Sequence, residues 1–147
     1  MSSLTSKDLD TTNYSVKVDI NSVSEEDVQP YVKLQRASNF LAAAMIFLKS
    51  NILLRNQLSF DDIKPRLLGH WGTCPALNLV YAHCTRLIKH RKLNMFLVTG
   101  PGHGAPANLA NLYLEGSLAR FYPQYSWSEE GLHALIQGFS WPGGFPR

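Results

Sequence analysis

Two histidines stand where side chains could do chemistry. His70 lies in Leu68-Gly-His-Trp-Gly-Thr-Cys-Pro75, beside a large aromatic and just ahead of a helix-forming run. His103 projects from the middle of Gly100-Pro-Gly-His-Gly-Ala-Pro106, directly after the short apolar run Met95-Phe-Leu-Val98. An imidazole can donate, accept or move a proton near neutral pH, and glycines let backbone N–H groups approach an oxygen-rich ligand closely. A third window, Phe139-Ser-Trp-Pro-Gly-Gly-Phe-Pro-Arg147, has the same character. Twelve of the chain's eighteen glycines and prolines fall within 69–75, 100–106 and 142–146, a clustering that ordinary turns do not require. A lone histidine in a tight turn is most often satisfied by backbone, and that bland reading applies to His70. His103 has no apolar core to fill, so it weakens there.

Other chemistry fits less well. Gly100, Gly102 and Ala105 satisfy the G-x-G-x-x-G/A spacing of dinucleotide sites. That fingerprint needs a second strand ending in an acid about 20 residues on, where this chain has Ala119-Arg-Phe-Tyr-Pro-Gln124. His70 with Cys74, and His83 beside Cys84, match no structural zinc spacing. Cys84 falls on an apolar stripe, and Cys74 in its glycine turn is only marginally better placed as a nucleophile. His83, His90 and His133 sit at exposed helical positions and receive no role.

The elements that must carry these windows follow from periodicity. Leu34, Ala37, Leu41, Ala44, Met45 and Leu48 predict a helix over 31–49. Leu77, Val80, Tyr81, Cys84, Leu87 and Ile88 predict a second over 76–91. Residues 95–98 read as a buried strand. Pro106 opens a third helix to about Leu114, and Ser128-Glu-Glu130 opens a fourth to near Gln137. Helix, strand, glycine loop, helix is an α/β order, in which ligands gather at the carboxyl ends of strands. One strand does not make a parallel sheet, so either a further strand lies near Tyr14–Ile20 or the sheet is incomplete.

Composition sets the frame. The chain is 45% hydrophobic and 17% charged, which suits one folded domain rather than a disordered or fibrous chain. No apolar run reaches the roughly 18 residues of a membrane span, and the N-terminus does not read as a secretory signal. Two cysteines make no disulfide framework, so a cytoplasmic setting is expected. Residues 1–30 hold six acids against two lysines and read as an acidic, flexible arm. Residues 31–147 hold twelve lysines and arginines against five acids, a balance that suits anionic ligands. The densest basic run, Arg86 to Lys92, is better explained as cations at a helix C-terminus than as a nucleic-acid contact.

Taken in order, these blocks closely resemble the N-terminal part of the thiamine-diphosphate-dependent phosphoketolases. The matching residues are Gln35-Arg-Ala-Ser-Asn-Phe-Leu41, Ile63-Lys-Pro-Arg-Leu-Leu-Gly-His-Trp-Gly72 and Gly100-Pro-Gly-His-Gly-Ala-Pro106, then Leu114-Glu-Gly-Ser117, Phe121-Tyr-Pro123 and Pro142-Gly-Gly-Phe-Pro146. The resemblance implies an incomplete thiamine-diphosphate-binding-type α/β domain over 31–147, helix-rich with few parallel strands. It implies phosphate-dependent cleavage of xylulose 5-phosphate or fructose 6-phosphate to acetyl phosphate and an aldose phosphate, an aldehyde-lyase reaction of carbohydrate metabolism. His70 and His103 would be catalytic, hydrogen-bonding substrate hydroxyls and moving protons beside the cofactor's thiazolium. Gly102, His103 and Gly104 would give the cofactor close access to backbone, with thiamine diphosphate and Mg2+ as the family's cofactors.

Departures accompany the match. Family members continue Pro-Ser-His after the third window, whereas Arg147 stands in place of that serine. A Gly-Asp-Gly segment for magnesium and diphosphate, and a second domain with its activating glutamate, belong to the family and are not in this sequence. Ala76 stands where the family commonly has glycine, which would crowd that turn. The expectation is therefore a truncated phosphoketolase N-terminal region, inactive alone, that binds the cofactor weakly. Alternatives are a non-catalytic module docking on a full-length phosphoketolase, or a small phosphosugar-binding protein.

Overall fold

The computed structural model describes residues 23–100 and 102–145. The possible strand near Tyr14–Ile20 and most of the acidic arm lie outside them. Helix α1 spans Glu25–Phe47 and begins earlier than the expected residue 31. Its start is set by a capping box: the Ser24 hydroxyl accepts the Asp27 N–H at 3.1 Å while the Asp27 carboxylate accepts from Ser24. Glu25, Glu26 and Asp27 crowd the positive end of the helix, and Pro30 is carried inside it rather than ending it. Three further helices follow close to expectation: α2, Cys74–Arg91; α3, Ala105–Leu114; and, after the short α4, Ser117–Phe121, α5 over Glu129–Gly138. The basic run sits in the last turn of α2, as its dipole favours.

Helix α1 is the central element and packs against α2, α3 and α5. Leu41, Ala44, Met45 and Leu48 of its expected stripe are buried, and they meet Tyr113, Leu135, Ile136 and Phe139 in the main core. Ser38 and Ala42 are small enough to let α2 and α3 approach. A ladder of asparagines ties those three helices together. The Asn78 amide donates to Asn39 Oδ1 at 2.9 Å, and the Asn111 amide donates to Asn78 Oδ1 at 2.8 Å. Asn78 and Asn111 are buried, so each bond removes a desolvation cost as well as fixing a register.

Three expectations are corrected. The described residues are helix-rich, as expected, but the few parallel strands expected of an α/β fold are not among them; they hold only isolated bridges at Leu48–Ile63 and Phe139–Phe145. Met95–Val98 takes no regular secondary structure, and Phe96 is 98% and Val98 88% exposed. A strand exists only where a neighbour takes its backbone bonds, and none of the described residues does so there. On α2 the buried positions are Cys74, Asn78 and Ala82, whereas Val80 and Leu87 of the expected stripe face outward with Leu79. Finally, Ala76 is exposed in the first turn of α2 and crowds nothing.

Candidate functional site

The first window is pressed between two helices. Gly69 has φ +109°, and a Cβ there would lie 2.9 Å from Ile46 Cγ1 on α1 and 3.1 Å from Pro106 Cγ on α3. No other residue could both take that backbone region and fit. His70 follows as the N-cap of a 3-10 turn, Trp71–Thr73, that leads straight into α2. Its Nδ1 accepts the Thr73 N–H at 3.1 Å, which places the proton of the neutral ring on Nε2. The backbone carbonyl of His70 accepts from the Thr73 hydroxyl at 3.0 Å and from the Cys74 thiol at 3.2 Å. Gly72 keeps clear of the ring, since a Cβ on it would come within 2.8 Å of His70 Cε1. Burial pushes the Cys74 thiol up, away from the thiolate a nucleophile needs.

The second window turns into α3. Gly102 takes φ +72° and its carbonyl accepts the Ala105 N–H at 3.0 Å. Gly104 is buried, and a Cβ there would meet Leu77 Cδ1 at 2.5 Å. The missing side chain of Gly104 thus serves the packing of α3 on α2, while Gly102 lies open beside the histidine. His103, between them, is exposed, and its ring meets that of His70 edge-on with centroids 5.7 Å apart and planes at 73°.

The third window leaves α5 and folds back on it. Ser140 adopts φ +54° and Gly143 φ +80°. The Phe145 N–H returns to the Gly138 carbonyl at 2.9 Å, and the Phe145 ring stacks on Tyr125 with centroids 4.4 Å apart. A Cβ on Gly144 would overlap the Gly138 carbonyl oxygen at 1.9 Å, so that return demands glycine.

All three windows meet. A pocket of about 210 Å³ is lined by Leu68 and Gly69, Gly102 and His103, and Phe139 and Ser140, two residues from each window. Larger hollows of about 450 Å³, 310 Å³ and 280 Å³ lie beside the third window, between α2, α3 and residues 95–99, and between α1 and α2 beside His83, but none is lined by His70 or His103. The small pocket, where all three windows meet, is therefore the candidate site, with the His103 imidazole in its lining and the His70 ring edge-on to that of His103. His83 and His90 are exposed on α2, and His133 is half-buried on α5, away from its lining. Both cysteines are free thiols.

Residues the periodicity did not single out complete the surroundings. Lys64, inside the matched Ile63–Gly72 block, is buried and hydrogen-bonded to backbone. Asn39, Asn78 and Asn111 form the ladder, and the only hint of it in the sequence is polar residues at core-facing helical positions.

Comparison with known proteins then decides the family. The model of the XFP N-terminal domain matches residues 22–147, nearly the whole chain. The chain belongs to the XFP N-terminal domain family. A probable phosphoketolase of Schizosaccharomyces pombe is 52% identical over 130 residues, 88% of this chain and 16% of the relative. One from Nitrosospira multiformis is 48% identical over 132 residues, 90% of this chain and 16% of its own length. Probable phosphoketolase 2 of Rhizobium meliloti is 52% identical over 111 residues, 76% of this chain and 14% of the relative. The chain thus corresponds to a phosphoketolase N-terminal region and spans about a sixth of the length of these relatives.

The cofactors of that family were tested against the residues present in this XFP N-terminal domain. Among the described residues no three His, Cys, Asp or Glu side chains gather to hold a metal ion. The histidine pocket offers no carboxylate and no lysine or arginine for a diphosphate. The described residues do not by themselves fit magnesium and thiamine diphosphate. No described helix is long and apolar enough to cross a membrane.

Proposed function

We propose that this domain supplies one wall of a phosphoketolase active site, the wall carrying His70 and His103, and that it does not turn over substrate by itself. The observation that carries this reading is the convergence of all three windows on one pocket lined by His103, with the His70 ring 5.7 Å from that of His103. Small-molecule sites usually enclose about 300–1,000 Å³, so a pocket of about 210 Å³ with both histidines exposed is part of a larger cleft. The bond from Thr73 to Nδ1 leaves His70 with an Nε2–H to offer. That is a donor suited to a hydroxyl or carbonyl oxygen of a ketose phosphate. His103 has neither ring nitrogen committed to a described partner and suits proton transfer. In the full-length relatives thiamine diphosphate would supply the carbanion chemistry, held by residues elsewhere, with xylulose 5-phosphate or fructose 6-phosphate and inorganic phosphate as substrates.

The same reading accounts for the fold. We take residues 95–98 to be one strand of a thiamine-diphosphate-type sheet whose other strands come from the remainder of a phosphoketolase. The test is a chimera: this chain replacing the matching N-terminal segment of the Schizosaccharomyces pombe relative, assayed for acetyl phosphate. The chimera is expected to turn over, and His70→Asn or His103→Asn is expected to lower kcat by about 100-fold or more. A soluble, assembled chimera whose activity ignores both substitutions would refute the reading. Acetyl phosphate made by the 147-residue chain alone, given both cofactors, would refute its inactivity.

One observation favours a second reading, a non-catalytic module docking on a complete phosphoketolase. Phe96 and Val98 form an exposed apolar, unpaired edge. Stable co-purification with the intact enzyme, abolished by Phe96→Ser, would support it.

A further inference from the structure

Lys64 is the one lysine or arginine buried among the described residues, with 4% of its surface exposed. Its ammonium donates to the carbonyls of Met45 at 2.7 Å, Ile136 at 2.8 Å and Phe139 at 2.9 Å. Three donors meet three acceptors, so the group is fully used. Met45 and Ile136 lie in the last turns of α1 and α5, where carbonyls lack helical partners and the dipole favours a cation. Lys64 is itself fixed, because its backbone N–H donates to the Phe47 carbonyl at 2.9 Å. Burial pushes its ammonium down to about 8, still on the charged side at neutral pH.

The third acceptor matters most. The Phe139 carbonyl adjoins Ser140, a non-glycine residue at φ +54° whose hydroxyl oxygen is buried without a partner. Such a conformation is strained and persists only where the surroundings hold it. Phe139 and Ser140 are the contribution of the third window to the histidine pocket. Lys64 does not line that pocket, so any effect on it passes through Phe139. It also precedes His70 by six residues in the same matched block, tying the first window to the third.

We propose that Lys64 is a positioning residue, whose ammonium clamps the Phe139 carbonyl and so holds the third window against His70 and His103. The meaning of the clamp for catalysis rests on the phosphoketolase reading above, but its geometry can be tested without turnover. Amide hydrogen exchange of the full 147-residue chain would be followed by NMR in the unmodified protein, Lys64→Met and Lys64→Arg. Methionine keeps the apolar stem and leaves three carbonyls without a donor. Exchange at Trp141, Gly144 and Phe145 is expected to quicken by about tenfold or more, the scale of one lost buried donor. The amides of α2 and α3 should change far less, and arginine should restore part of the protection. A uniform change across all helices, or no local change, would overturn the proposal.

Should Lys64→Met fail to fold, the unmodified chain decides. Its Lys64 ammonium should give a slowly exchanging nitrogen resonance coupled to the three carbonyls. An ammonium indistinguishable from those of surface lysines would overturn the clamp. The chimera assay tests the reaction separately, so failure of one does not imply failure of the other.

Discussion

The junction of the three windows and the segment at 93–99 show opposite uses of the same chain. At the junction, the side chains of Ile46 and Pro106 crowd Gly69, and the Gly138 backbone crowds Gly144, so neither leaves room for a methyl group. Its flanking helices are joined by paired asparagines. At residues 93–99 the chain is more apolar, yet Phe96 is almost wholly exposed and the backbone of 95–98 has no described partner. The difference is one of partners rather than of residue type. Polar and glycine-rich segments found theirs among the described residues, and the most strand-like segment did not. In relatives six times longer, the second region has far more chain available to cover it.

That contrast can be broken experimentally. The largest effect is expected from Gly144→Ala, where the new methyl overlaps the Gly138 carbonyl; overpacking on rigid backbone should cost about 3 kcal/mol. Chemical denaturation would measure it. Gly143→Ala, one residue earlier, meets open space and bears only the positive-φ penalty of about 1 kcal/mol, so the pair separates overlap from strain. A cost for Gly143→Ala equal to that of Gly144→Ala would show that the return of the third window is not tightly packed.

Asn78→Ala comes next, at about 2 kcal/mol, because it strips Asn39 Oδ1 and the Asn111 amide of a partner in a buried setting. Thermal melts that barely move would mean water replaces the ladder.

Acid should loosen the helix starts more gently. Hydrogen bonds from Ser24 hold Asp27 below its ordinary 3.8. The Ser59 backbone N–H and then the Ser50 hydroxyl do the same for Asp62, and its own backbone N–H and then Ser128 hold Glu130 below 4.5. A carboxylate depressed in the folded state contributes stability that is present above its unfolded value and lost as pH falls through the folded one. Stability should therefore decline below about pH 4.5, with a shallower acid limb in Asp62→Asn, read from melting temperature against pH.

The smallest expected change is Phe96→Ser. Its side chain is exposed, so stability should shift by no more than about 0.5 kcal/mol, with reduced self-association in light scattering. A marked loss of stability would mean that this segment already has a partner in solution, and the comparison above would fail.

Much of this was legible in the chain itself. The periodicity of α1, Pro106 at the start of α3 and Ser128-Glu-Glu130 at the start of α5 located those helices, because an apolar stripe and a helix-start residue are local properties, though α1 begins six residues earlier than expected. The capping box at Ser24 and Asp27 is equally local, yet it starts α1 inside the expected 1–30 arm, and the helix runs on through Pro30. The α2 stripe failed for a different reason: Val80 and Leu87 are apolar but face outward, while Asn78 is buried because Asn39 and Asn111 satisfy it. Burial of a polar group depends on a partner dozens of residues away, which periodicity cannot see.

What the sequence determined by itself was the two histidines in their glycine windows, the helices that carry them and the family to which those motifs belong. Those properties reside in residue type and short spacing. Only the tertiary structure decided that the windows share one pocket, that His70 presents Nε2–H and that Lys64 binds three carbonyls from two helix ends. Each of these is a meeting of atoms far apart along the chain. It also decided that the strand-like segment stays unpaired among these residues, because a strand is made by its neighbour.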